Sequence, residues 1–124
     1  MCCDKESAIR SFLLEAKLVI QQSYQDSWRW SFSTLREKNV NTLTELEMTL
    51  EDVKKEILSL SVLDYCSGPT KDPEIKGDLW IFGKIIRGKE VYIKLKLSGD
   101  QHGRMVRVLS FHIAGKPLTY YFAR

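Results

Sequence analysis

No stretch of this chain approaches the ~18 consecutive apolar residues that a membrane-spanning helix needs. The opening MCCDKESAIR lacks the apolar segment of a secretory signal. Cys2 stands where myristoylation requires glycine, and the closing YYFAR is no prenylation box. Cysteine is scarce. Cys2, Cys3 and Cys66 form an odd set with two members adjacent, which does not suit a disulfide framework. Neither His102 nor His112 joins them at a zinc-ligand spacing. The expectation is a cytoplasmic protein with reduced thiols, no metal, no cofactor and no membrane attachment. Three enzyme signatures are missing as well: a Gly-rich phosphate loop ending in Lys-Ser/Thr, His-Glu-x-x-His, and a nucleophile elbow. Cys66 and His112 carry no local pattern of a cysteine protease.

What is present is ordinary in bulk and uneven in detail. The 124 residues, 44% hydrophobic and 28% charged, suit one folded domain over 1–124. Residues 1–64 hold 8 Lys/Arg against 11 Asp/Glu, whereas residues 65–124 hold 11 against 5. A basic second half points to a polyanionic partner, with lysine-rich solvated strands as the bland alternative.

The pattern predicts an α+β order. Ile9, Phe12, Leu13, Ala16 and Ile20 recur at helical spacing from Asp4, a candidate cap, to about Ser23. The alternation Trp28-Arg29-Trp30-Ser31-Phe32-Ser33 suits a half-buried strand, with its aromatics read as core in preference to RNA stacking. Two helices are predicted within 34–60, from the capping patterns Thr42/Glu45 and Thr49/Asp52. Residues 63–73, with one Gly and two Pro, read as a loop. Three antiparallel strands follow at 79–86, 90–97 and 104–114, the first two joined by Arg87-Gly88-Lys89.

Chemistry concentrates in this meander. Alternation puts Tyr92, Lys94 and Lys96 on one face of their strand and Trp80, Phe82 and Lys84 on one face of the preceding strand. If those faces coincide, lysines stand beside aromatic rings, as on surfaces that bind single-stranded RNA, with Arg107 of the last strand as a further cation. A lysine-protected edge hairpin is the competing reading. His112 supplies the side-chain type best suited to proton transfer near neutral pH, and Phe111 is the better core residue of that adjacent pair.

The segments Asp64-Tyr65-Cys66-Ser67-Gly68-Pro69, Leu79-Trp80-Ile81-Phe82-Gly83-Lys84, Glu90-Val91-Tyr92-Ile93-Lys94-Leu95 and Leu109-Ser110-Phe111-His112 resemble the MqsR family. These are toxins of type II toxin–antitoxin systems with the RelE-like ribonuclease fold. The resemblance covers roughly residues 50–121. It implies one RelE-like domain, helices packed on an antiparallel sheet, that cleaves mRNA without a metal and is neutralised by a cognate antitoxin. The ribosome is an open further partner. By the same resemblance Tyr92 and Lys94 are catalytic candidates, and His112 joins them for its proton-transfer chemistry; the sheet-face pattern adds Lys84, Lys96, Trp80 and Arg107 as RNA-binding candidates. His112 stands where the family has lysine. Cys66 replaces a lysine and Ile81 a glutamine, which favours a rival reading, a non-catalytic RNA-binding or toxin-like regulatory module. A protein–protein adaptor using the acidic helices is a third reading.

Overall fold

The computed structural model describes residues 4–74, 77–100 and 102–122. Helix α1 (Asp4–Gln22) buries Ile9, Phe12, Leu13, Ala16 and Ile20, the residues at helical spacing. The side chain of Asp4 lies outside the described set. After a short turn at Ser27–Arg29 comes strand β1 (Trp30–Phe32), shorter than the aromatic alternation suggests. Helices α2 (Glu37–Leu46) and α3 (Leu50–Leu58) follow. Thr49 and Asp52 form the expected reciprocal capping box on α3. Thr42 does not cap a helix. It lies buried inside α2, and its hydroxyl accepts a hydrogen bond from the Ile113 amide at 2.9 Å.

Strands β2 (Tyr65–Lys71), β3 (Asp78–Ile86), β4 (Lys89–Asp100) and β5 (Gly103–Ile113) follow, and a C-terminal segment runs on from β5. The region 63–73, predicted as loop, is thus largely strand. Its Gly and Pro are accommodated because β2 is an edge strand with two register shifts against β3. The sheet order is β1-β5-β4-β3-β2. It is mixed rather than purely antiparallel, because β1 pairs parallel to β5 through Trp30↔Val106 and Phe32↔Val108.

Three helices pack against this five-stranded sheet, giving an α+β architecture. Under α1, Phe12 stacks on Trp80 with ring centroids 4.6 Å apart, above Phe82, Ile93, Leu95, Val108 and Phe111. Truncating Phe12 to alanine is expected to cost about 3–5 kcal/mol through lost burial and a residual cavity.

The hairpin between β3 and β4 fixes which residues share a face. Its turn consists of Arg87 and Gly88, both with positive φ (51° and 84°), so Ile86 pairs with Lys89 and Trp80 with Leu95. Trp80, Phe82 and Lys84 therefore face the helices with Leu95, Ile93 and Val91. Leu79, Ile81 and Gly83 share the opposite face with Lys96, Lys94 and Tyr92. The single mixed lysine–aromatic surface expected from alternation does not form.

Candidate nucleic-acid interface

The face turned away from α1 and α3 brings together two of the three catalytic candidates directly. Tyr92 and His112 are cross-strand partners on β4 and β5, and their rings stack with centroids 5.2 Å apart at 26°. Phe111, the adjacent residue, is fully buried on the helix side, and its burial sets the parity that turns His112 outward. Lys94 pairs with Ser110, one pleat along on the same face. A register shift between Lys94 and Leu95 lets the strand pass Leu109 without reversing these faces.

The imidazole Nδ1 of His112 lies 3.1 Å from the carbonyl oxygen of Ile113. A carbonyl only accepts, so this contact puts a proton on Nδ1 and leaves Nε2 as the basic nitrogen of the neutral ring. Tyr92 is half-buried. Burial raises its phenol above the ordinary value, the Arg36 charge works against that rise, and nearby Cys66 adds to it. At neutral pH Tyr92 is thus a proton-bearing donor.

Arg36, which sequence reading missed, stands beside this pair. It precedes α2, and its Nη1 donates to the Ser110 hydroxyl at 3.1 Å. Arg36, Glu37, Lys38, Asn41 and His112 line a cleft of about 660 Å³. The cleft exists because α2 docks on the edge of β5 beyond the end of β1. There Asn39 donates to the carbonyls of Ser33 (2.9 Å) and Leu109 (3.1 Å) and accepts from the Phe111 amide (3.0 Å). Asn39 and Thr42 thereby satisfy strand groups that a neighbouring strand would otherwise pair. That polar pair on the buried side of a helix was the available signal that α2 meets a strand edge.

On the other flank, the C-terminal segment crosses Gly83, the cross-strand partner of Tyr92. The Leu118 amide and the Tyr120 hydroxyl donate to the Glu90 carboxylate at 3.0 and 2.8 Å. A Cβ at Gly83 would come within 2.5 Å of Leu118, so glycine is what lets this segment lie against the sheet.

The remaining candidates separate from the pair. Trp80 is core, stacked on Phe12. Lys84 lies on the helix side, paired with Glu56 at 2.9 Å and bonded to the Ser59 hydroxyl. Lys96 is on the open face but only 1% exposed, held by Asp72 at 3.0 Å. Of these candidates only Arg107, half-exposed and paired in register with Lys96, stays with Lys94 as a surface cation. Cys2 and Cys3 lie outside the described residues, and among those described no cluster of three or more His, Cys, Asp or Glu could hold a metal. Among the described residues no helix is long and apolar enough to cross a membrane. No family model, curated protein or solved structure matches the chain, so no relative supplies a function for it.

Proposed function

We propose that this protein is a toxin-type endoribonuclease that cleaves single-stranded mRNA without a metal and is held in check by a cognate antitoxin. The observation that carries the reading is the stacked Tyr92–His112 pair beside a cleft lined by Arg36 and Lys38. The resemblance to MqsR-family toxins supports it through the same tyrosine, the lysine two residues on, and a basic side chain after Ser-Phe. RNA carries its own nucleophile, so the protein need supply only a base, a proton donor and cations. His112 Nε2 takes the proton of the 2′-hydroxyl, whose oxygen attacks the adjacent phosphorus. The bond to the 5′-oxygen breaks, and that oxygen receives a proton from Tyr92. Lys94 faces the developing charge on the phosphate. The products are a 2′,3′-cyclic phosphate and a free 5′-hydroxyl.

Incubating the protein with mRNA in EDTA and analysing the product ends tests this directly. Cleavage with those termini is expected, and His112→Ala and Tyr92→Phe should each lower its rate about 10²-fold with the fold intact. Ile81 beside Lys94 and Cys66 beside Tyr92 favour the second reading, a module that binds RNA without cutting it. Salt-sensitive binding by wild type with no cleavage at any protein concentration would establish that reading instead.

A further inference from the structure

Two of the three cations that sequence reading assigned to RNA binding are committed elsewhere, Lys84 to Glu56 and Lys96 to Asp72. Beside Lys94, a further cation reaches the Tyr92–His112 pair from outside the sheet. We infer that Arg36 is the principal phosphate-binding residue of this site and that Ser110 is the positioning residue that aims it. The inference rests on the nuclease or RNA-binding reading above and names the group that recognises the substrate's phosphate.

Three observations support it. Ser110 is 1% exposed, and its hydroxyl accepts from Arg36 Nη1, so an otherwise exposed side chain is anchored at one point. A guanidinium carries five N–H donors in a planar fork, and one anchoring bond leaves the others for a phosphate, which the fork matches in shape. Arg36 also lines the same cleft as His112, whose ring stacks on Tyr92 at 5.2 Å, so the cation stands beside the pair. A phosphate there would meet a base, a proton donor and a cation together. Glu37 lines the cleft too, and its charge restricts where a polyanion can lie.

The test uses two forms of one RNA, 2′-O-methylated for binding and unmodified for cleavage. Binding is measured across a salt series for wild type, Arg36→Ala, Arg36→Lys, Ser110→Ala, and Lys55→Ala as a control. Lys55 is exposed on α3, on the helix side of the sheet, and removes the same charge. Arg36→Ala should weaken binding at least tenfold and reduce the slope of log affinity against log salt by about 0.7, one phosphate on a single strand. Arg36→Lys should restore the slope but only part of the affinity, because it keeps charge without the fork. Ser110→Ala should raise KM more than it lowers kcat. Lys55→Ala should match wild type.

An Arg36→Ala variant with wild-type affinity and slope overturns the inference while leaving the nuclease reading intact, provided wild type cleaves. A change in Tm without a change in slope overturns it equally, since a purely structural Arg36 would behave that way. If wild type binds but does not cut, the slope still decides the role of Arg36. If wild type does not bind RNA at all, both readings fall.

Discussion

The protonation of Tyr92 decides what it can do. Its phenol titrates above the ordinary value of about 10, first because burial disfavours the phenolate. The neutral form is thus favoured in the folded state. That contribution is complete below the ordinary phenol value and is lost as pH rises through the higher folded value. Tyr24 shifts in the same direction, mainly through its hydrogen bond to Glu51, so comparing Tyr92→Phe with wild type isolates one group. Urea unfolding between roughly pH 9 and 11 should show wild type losing stability more steeply than Tyr92→Phe. Equal slopes would mean that Tyr92 is not shielded. The pairing of Tyr92 with His112 could be anticipated in the sequence, because Phe111 is the obvious core residue beside His112 and fixes parity. The commitments of Lys84 and Lys96 could not, because each is decided by a carboxylate distant in sequence, Glu56 and Asp72.

At the scale of elements, a single residue in a turn redirected a whole strand. Treating Arg87-Gly88-Lys89 as a three-residue connection pairs even-numbered positions of β3 with even-numbered positions of β4. The two-residue turn pairs even with odd and sends Trp80, Phe82 and Lys84 to the helix side. Positive φ at Arg87 is uncommon for a non-glycine residue. Its guanidinium donates to the Leu46 and Glu47 carbonyls at 2.6 and 2.7 Å, which ties the turn to the end of α2. The docking of α2 on β5 was hidden for a different reason. Asn39 and Thr42 spoil an amphipathic pattern unless the helix meets unpaired backbone groups, and sequence alone does not reveal that β1 stops at Phe32. Asn39→Ala should leave the Leu109 carbonyl and the Phe111 amide poorly satisfied and cost about 3 kcal/mol. Thermal unfolding checks it; a loss under roughly 1 kcal/mol would show that water replaces the side chain.

Across the whole molecule, the charge asymmetry of the sequence becomes a division between layers. Much of the acidic first half lies on the helices, where Glu51, Asp52 and Glu56 line α3, while Lys94 and Arg107 lie on the strands. The open sheet face is flanked by α2 on one side and by the C-terminal segment on the other, with Arg36 and Lys38 lining the cleft that His112 enters. On the proposed nuclease reading, control of the activity falls to a partner that covers this face. An acidic segment of a partner protein would suit it in charge. Expression of the intact chain in bacteria should therefore slow growth, and His112→Ala at the same soluble level should not. Co-expression of the cognate antitoxin should restore growth, and binding of that antitoxin should compete with RNA for Arg36. Unimpaired growth with abundant soluble wild type would count against a toxin. Impaired growth that persists in His112→Ala would point to RNA sequestration by the same face without cleavage.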